Sequence, residues 1–283
     1  MKKTLTTILL IYLSTTLFAQ KNPNESARPI VEEGKKLYQS EMASWYGTDL
    51  FLEKYPNREN IGGYFSYPTE RNAATCIFFS KAEEPQVIGT IAFDSTFSTE
   101  TAQLSLEERS FSNLEQEIFG IRQSALTRLQ ADTLVKMYNN TNLNIIPIIH
   151  EGEKKVYVLT GPEVSGVVIF GNDYLVTFDE NNQVKELKNL HKNIIPISHG
   201  ADSLETVATM HSHLPETGDY ITATDICTLM LYSKFAKWKT HNVVTPKYLN
   251  IWDCTKNELL VMTMDAIEKI NKDQKKRKKK KKN

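Results

Sequence analysis

Two histidines, His211 and His213, flank a single serine at the end of a run of residues typical of a β-strand. Because side chains two positions apart on a strand point to the same side, both imidazoles can face one point. Imidazole nitrogen is a common zinc ligand. Asp225 follows twelve residues after His213 and opens a predicted helix, which directs its carboxylate back towards the strand end. Two imidazoles, one carboxylate and an open fourth position are typical of a catalytic zinc site.

The same residues also have simpler explanations. Thr222 and Asp225 match a capping box, in which the hydroxyl and the carboxylate bind amides of the first helical turn. A His-x-His pair at a strand end is also consistent with two hydrogen-bonded side chains that hold no metal. In that case the two imidazoles would diverge. From the residues alone, a catalytic zinc, a structural zinc and a metal-free capped helix therefore all remain open.

The order of these residues resembles the JAB/MPN (JAMM) family of metallo-isopeptidases and peptidases. That family has His-x-His, seven residues, and then Ser-x-x-Asp at the start of a helix. Here eight residues separate His213 from Thr222, and threonine replaces the serine but keeps a hydroxyl. The family also has a glutamate upstream, shortly before an apolar strand. Glu163 matches it, at 48 residues before His211 and ahead of the apolar run 166–171.

The resemblance covers residues 155–265 and implies a zinc-dependent hydrolase of peptide or isopeptide bonds, acting on a peptide or protein substrate. It implies that zinc is held by His211, His213 and Asp225. It also implies that Glu163 activates water and that Thr222 donates a hydrogen bond to the oxyanion. Glu216, in the loop after His213, is a second candidate for the base.

A function of another class fits the same pattern, namely a non-catalytic extracytoplasmic binding or scaffold protein with an inactive JAMM-like domain. The distinguishing feature is a carboxylate placed one water molecule beyond the metal position. If neither Glu163 nor Glu216 reaches that place, the scaffold function is favoured. The chain contains no P-loop, GxGxxG, GxSxG or HExxH motif, so nucleotide-binding, serine-hydrolase and common zincin functions lack support.

Hydrophobic spacing predicts an α+β fold in two parts. The first part, residues 20–143, combines a helix over 31–52, an antiparallel meander over 60–98 and a helix over 105–137. The second part, residues 144–271, is the JAMM-like domain, a mixed sheet flanked by helices. In it, short strands precede a helix over 222–239, and a helix over 265–271 closes the domain. A strand pattern over 155–159 replaces the helix that usually precedes the family's glutamate.

The two ends of the chain differ from its middle. Residues 1–19 are typical of a signal peptide, which predicts an exported protein, periplasmic or secreted. Residues 272–283 are predicted to be a disordered basic tail, because Lys275 to Lys282 are eight consecutive cations that can contact anionic surfaces. Without these cations and the two near the start, the chain of zero net charge carries about −10. We therefore expect no nucleic-acid partner, and no apolar run predicts a transmembrane segment.

Two further groups of residues leave alternatives open. Of the three cysteines, Cys76, Cys227 and Cys254, at most one pair can form a disulfide, and buried free thiols are an equal alternative. Trp45 and Tyr46 begin an aromatic group that also includes Phe51. Core packing is the favoured explanation for this group, and a binding face is the alternative.

Overall fold

The computed structural model describes residues 22–69, 72–200 and 206–280. Within these ranges the chain forms four α-helices and fourteen β-strands in four sheets. This mixed composition confirms the predicted α+β class. The predicted signal peptide, residues 1–19, lies outside the described residues.

The secondary structure follows in chain order. The helices are α1 (Pro23–Lys54), α2 (Asn113–Ala131), α3 (Ala223–Tyr232) and α4 (Met264–Lys280). The strands of the first half are β1 (Ile61–Pro68), β2 (Ala74–Ser80), β3 (Val87–Phe93), β4 (Gln103–Ser105), β5 (Thr141–His150), β6 (Glu153–Pro162) and β7 (Val167–Gly171). The remaining strands are β8 (Tyr174–Phe178), β9 (Val184–Asn189), β10 (Ile194–Ser198), β11 (Ala208–Ser212), β12 (Thr240–Val244), β13 (Tyr248–Asp253) and β14 (Glu258–Thr263).

The first sheet is the predicted antiparallel meander, in the order β1-β2-β3-β4. Helix α1 begins with Pro23, which suits the first turn because an amide there has no helical partner. The helix packs on the sheet through Phe51, whose ring stacks on Phe78 with 3.9 Å between centroids. Gly89 of β3 makes room for this ring, since a Cβ at that position would overlap it. Phe51 is therefore a core residue, as predicted.

Helix α2 is shorter than the predicted 105–137. It begins after a capping box in which the Ser112 amide donates to Glu115 Oε2 at 2.7 Å and the Glu115 amide donates to Ser112 Oγ at 3.3 Å. It ends at Ala131 because Asp132 adopts an extended conformation. The cap, rather than the apolar spacing, therefore determines where this helix starts.

The second sheet is antiparallel, in the order β5-β6-β8-β9, and β7 pairs separately with β10. Strand β6 confirms that a strand precedes Glu163. Strand β9 was not predicted, because its sequence Val-Lys-Glu-Leu-Lys-Asn has only two apolar residues, and these are three positions apart and do not share a strand face.

The third sheet has the order β11-β12-β13-β14, with β11 parallel to β12 and α3 in the connection between them. Helix α3 ends at Tyr232, seven residues before the predicted end at 239. Beyond it, Lys237 adopts a left-handed φ of 58° and the Trp238 amide donates to the Ser233 carbonyl. This turn directs the Trp238 indole into the core, where it is 3% exposed.

Helix α1 packs on both predicted parts of the chain. Its Gly34 lies against α3, where an added Cβ would be 2.7 Å from Ile226. Leu37 is fully buried in a cluster that includes Tyr157 and Cys227. The predicted boundary between residues 143 and 144 falls inside strand β5.

The basic tail was predicted to be disordered from residue 272, and this is wrong up to Lys280, where α4 ends. Lysine, glutamine and arginine are good helix formers, and cations are favoured at a helix C-terminus. Residues 281–283 lie outside the described residues.

Among the described residues, no helix is both long and apolar enough to cross a membrane. The three cysteines are free, with Cys76 and Cys227 buried.

Candidate metal centre

Four buried side chains converge beside the start of α3 and could hold a metal ion: His191, His211, His213 and Asp225. We call this group the His3Asp cluster. The Nε2 atoms of His211 and His213 are 3.0 Å apart, and that of His191 lies 3.3 Å from His213 Nε2. Oδ1 of Asp225 is 3.5 Å from His191 Nε2 and 3.7 Å from His211 Nε2. The imidazoles of His211 and His213 thus converge, as a metal site predicts.

Strand geometry aligns His211 with His213. His211 is in β11, and the His213 amide continues the pairing with β12 by donating to the Val244 carbonyl at 2.9 Å. The extended backbone therefore continues through His213 and directs both imidazoles inward, whereas Ser212 is exposed.

Asp225 belongs to a capping box and to the cluster at once. Its Oδ2 accepts hydrogen bonds from the Thr222 amide at 2.9 Å and from the Thr222 hydroxyl at 2.7 Å, while its own amide donates to the Thr222 hydroxyl at 3.1 Å. Its Oδ1 is buried, has no hydrogen-bond partner among the described residues and faces His191 and His211. The capping oxygen Oδ2 also lies 3.2 Å from His213 Nε2, and Oδ1 is left for a metal, so capping and metal binding are compatible.

The contacts of Nδ1, the ring nitrogen that points away from the cluster, indicate where His191 and His213 carry hydrogen. Nδ1 of His213 lies 3.0 Å from the Tyr220 carbonyl, which only accepts, so this nitrogen is the donor. Nδ1 of His191 lies 3.3 Å from Oδ2 of buried Asp173, an ion-pair distance at an angle outside hydrogen-bond limits. With Nδ1 as the donor, the His213 ring directs its Nε2 lone pair into the cluster, and metal binding would release the Nε2 proton of His191 so that this nitrogen could do the same. Such outer partners are typical of metal-binding histidines.

His211 has a longer set of outer partners. Its Nδ1 lies 2.9 Å from His241 Nε2, and His241 Nδ1 lies 2.7 Å from the Thr209 hydroxyl. Donation from His211 to His241 and from His241 to Thr209 satisfies both contacts and leaves His211 Nε2 unprotonated. Phe170 covers this pair, with its ring centroid 5.0 Å from His211 and 4.7 Å from His241.

The electrostatics of the cluster favour positive charge at its centre. Burial alone would lower the pKa of His191, but the charge of Asp225 and the contact with Asp173 outweigh it and raise the pKa to about 10. Burial opposes ionisation of Asp225, yet the positive charge of His191 and the contacts with His211 and His213 hold the pKa of its carboxyl well below the usual value. Burial lowers the pKa of His211 to about 4 and that of His241 to about 3, so both are neutral near pH 7.

The spacing of the inner atoms suits a small cation. Nitrogen and oxygen ligands at about 2.0–2.1 Å from a tetrahedral zinc ion would lie about 3.3 Å apart. The cluster has separations of 3.0, 3.3, 3.5 and 3.7 Å between these atoms. Once His191 gives up its Nε2 proton, three nitrogen lone pairs and a carboxylate oxygen meet at one point and would repel one another without a cation between them. The donor set therefore fits a divalent metal.

Two predicted catalytic residues lie outside the cluster. Glu163 is exposed and lines a separate cavity before the start of β7. Phe170, which contacts the cluster, is near the other end of this strand, and five residues at about 3.3 Å each span about 13 Å. Glu216 is exposed in the turn after His213. The extended backbone of β7 thus holds Glu163 away from the histidines, while Thr222 is in place beside Asp225.

Sequence reasoning missed His191 as a candidate ligand, because a surface or packing role is the default for a single histidine near a strand end. His191 lies in the connection between β9 and β10, 20 residues from His211, and no short motif links it to the others. The available signal was density, since four of the six histidines fall between residues 191 and 213. Asp173 and His241, the outer partners, gave no local signal.

Comparison of the chain with protein-family models, curated proteins and solved structures finds no match in any of the three. The fold and the cluster define an α+β protein with a candidate buried metal site. The resemblance to the JAB/MPN family depends on His211, His213, Thr222 and Asp225 and stays a prediction.

Proposed function

We propose that this protein binds Zn²⁺ through Nε2 of its three clustered histidines and Oδ1 of Asp225. The observation that carries the proposal is the buried Oδ1, which has no hydrogen-bond partner among the described residues and faces imidazole nitrogens. Three nitrogens and one oxygen form a donor set that suits zinc. Zinc would supply the double positive charge that these inward-facing groups require.

The number and burial of the ligands favour a structural role for this ion. Four protein ligands complete the tetrahedral shell of a structural zinc, whereas catalytic sites keep one position open. The side chains of His211, His213 and Asp225 are 2%, 1% and 0% exposed. Bound together, the end of β11, the start of α3 and the β9–β10 connection form one rigid unit. A closed shell of this kind favours a structural zinc over the hydrolase.

The test is zinc content by mass spectrometry of the full chain, together with its Tm. We expect one zinc per chain, and a fall in Tm of at least about 10 °C on chelation, because the ion binds only the folded state. The double variant His211→Ala/His213→Ala should lack zinc. His150→Ala is the matched control, since His150 is exposed and outside the cluster. A wild-type chain that stays zinc-free after incubation with zinc, or a variant that keeps full zinc, would overturn the proposal.

A zinc-dependent hydrolase of peptide or isopeptide bonds is the second candidate. It is supported by the order His211-x-His213 and Thr222-x-x-Asp225 at a strand end and a helix start. It requires that His191, the ligand from an irregular connection, give up its position. Zinc-loaded chain incubated with a fluorogenic peptide library tests it. Cleavage that is lost in His211→Ala/His213→Ala would favour the hydrolase, and no cleavage would favour the structural role.

Both candidate functions include export of the chain, which is inferred from the signal-peptide pattern of residues 1–19. Expression with the native N-terminus, followed by mass spectrometry of the product, tests it. A mature chain that begins near residue 20 and is found outside the cytoplasm would support export.

A further inference from the structure

A cavity of about 620 Å³ lies beside the C-terminal end of α3, away from the His3Asp cluster. Helix α1 forms one wall, and Tyr232 and Phe235 form another. Tyr64 of β1, Asn142 and Asn144 of β5, and the β6–β7 connection complete it. We call it the α1–α3 cavity. Its volume is in the range of small-ligand sites, and it joins the two parts of the chain.

The rim of the α1–α3 cavity exposes large apolar side chains. Phe235 is 62% exposed, Val164 47%, Trp45 45% and Tyr64 39%. The ring of Trp45 stacks on Phe235 with 6.2 Å between centroids. Solvent-exposed apolar groups that gather around one concavity mark a binding site rather than ordinary surface. The binding-face alternative for Trp45, rather than core packing, is the one this position supports.

One face of α1 brings polar and aromatic groups to the cavity together. Its lining residues are spaced three and four apart, as the residues of one helix face are: Glu41, Ser44, Trp45, Thr48 and Asp49. Glu41 accepts a hydrogen bond from the Asn144 side-chain amide at 2.6 Å. Asn142 and the Tyr232 hydroxyl lie close by, both within 4 Å of the Cβ that Gly161 lacks. The glycine thus leaves space for a polar floor.

The lining is acidic. Three carboxylates line the cavity, those of Glu41, Asp49 and Glu163, and no lysine or arginine is among the described residues that do so. Carboxylates attract a cation, and the faces of tryptophan, tyrosine and phenylalanine add cation–π attraction. Glu163, singled out by its sequence context, thereby has a role apart from the metal cluster.

We propose that the α1–α3 cavity binds a peptide segment through a lysine or arginine side chain. The cation lies between Glu41 and the ring of Trp45, and the aliphatic stem contacts Phe235. Peptide is the occupant because the cavity exceeds one side chain in volume, and because Asn142 and Asn144 carry amides that complement peptide groups. This site uses none of the four His3Asp residues and is independent of the proposed zinc binding.

The ionisation of Glu41 is consistent with this occupant. Burial raises the pKa of its carboxyl to about 7, and the hydrogen bond from Asn144 partly opposes the rise. A cation beside the carboxylate would favour the charged form. Binding of the peptide should therefore release a proton near neutral pH.

Tryptophan fluorescence of the full chain measures binding directly. Trp45 is 45% exposed at the rim, whereas Trp238 and Trp252 are 3% and 0% exposed, so a ligand in the cavity changes mainly the Trp45 signal. The probe is Nα-acetyl-lysine methylamide, and the norleucine analogue is its uncharged counterpart. We expect a saturable change with the lysine probe and at least tenfold weaker binding of the norleucine probe, the value of one charged contact.

Variants test the named residues. Glu41→Gln should weaken the lysine probe about tenfold, and Glu53→Gln, an exposed carboxylate elsewhere on α1, should not. Phe235→Ala is the second cavity variant and should also weaken binding of the lysine probe. It tests the proposal if Glu41→Gln does not fold, because an exposed ring can be removed without loss of the core. Equal binding of both probes, no saturable change, or wild-type affinity in both cavity variants would overturn the proposal. Cadaverine bound as tightly as the lysine probe would identify a free amine instead of a peptide and overturn it as well.

Discussion

Helix α3 begins beside the His3Asp cluster and ends beside the α1–α3 cavity, and the two regions differ in burial and in chemistry. The cluster is closed, polar and occupied by its own side chains. The cavity is open, has an aromatic rim and contains about 620 Å³. A closed polar group holds a small ion and stabilises the fold, whereas an open apolar rim accepts an outside molecule. One helix would thus link the proposed zinc site to the proposed peptide site.

The largest effect is expected from Asp225→Asn, which keeps the shape of the side chain but removes its charge. The variant should lose zinc and about 3–5 kcal/mol of stability, because Oδ1 would no longer be a charged ligand and the buried ion pair with His191 would be broken. That corresponds to a Tm lower by about 10 °C. Thermal unfolding and zinc content measure both. Glu216→Gln, an exposed change near the cluster, is the control, and an unchanged Asp225→Asn would contradict the closed-site description.

The next largest loss of stability is expected from a change at Glu115. Unlike Asp225, this buried residue has a hydrogen-bond donor at each carboxylate oxygen. Burial opposes its ionisation, but Arg109 and the Ser112 amide lower its pKa to about 2 from the usual 4.5. Because the folded pKa is lower than the unfolded one, the carboxylate contributes about 3 kcal/mol above pH 4.5, and this is lost as the pH falls towards 2. Urea unfolding of wild type and Glu115→Gln should differ most at pH 7, differ by about half as much at pH 3, and converge as the pH falls to 2 and below. A difference independent of pH would refute the pairing.

A smaller loss of stability is expected from a change where α1 packs against α3, the helix that borders both regions. Gly34→Ala should cost about 1–3 kcal/mol, since the added methyl would lie 2.7 Å from Ile226. The matched control is Gly120→Ala in α2, where the nearest atom to an added methyl is 4.0 Å away. That change should stabilise the chain by up to about 1 kcal/mol. Urea unfolding measures both, and equal effects at the two glycines would mean that the helices are not in close contact.

The smallest change in stability is expected from Phe235→Ala. Its ring is 62% exposed, so the free energy of unfolding should shift by no more than about 0.5 kcal/mol. Binding of the lysine probe should nevertheless weaken several-fold, because the stem loses its apolar contact. A large loss of stability would assign Phe235 to the core and remove the contrast between the two regions.

Local patterns in the sequence predicted the α+β class, the first meander and three members of the cluster. His211 and His213 could be paired because strand alternation operates over two residues, and Asp225 because a helix cap operates over three. The same short range explains the errors. The predicted helices over 105–137 and 222–239 were too long, since the cap at Ser112 starts α2 later, extended Asp132 ends it earlier, and α3 ends at Tyr232 before the turn at Lys237.

The sequence by itself determined that His211, His213 and Asp225 can bind a metal and that a strand end precedes a helix start there. Only the tertiary structure decided that His191 joins them, that Asp173 and His241 support them, and that Glu163 lies at the far end of β7. The physical reason is distance along the chain. Local propensity acts over a few residues, whereas these placements depend on how β7, β10, β11 and α3 pack together. That packing is set by the burial of apolar surface over the whole chain.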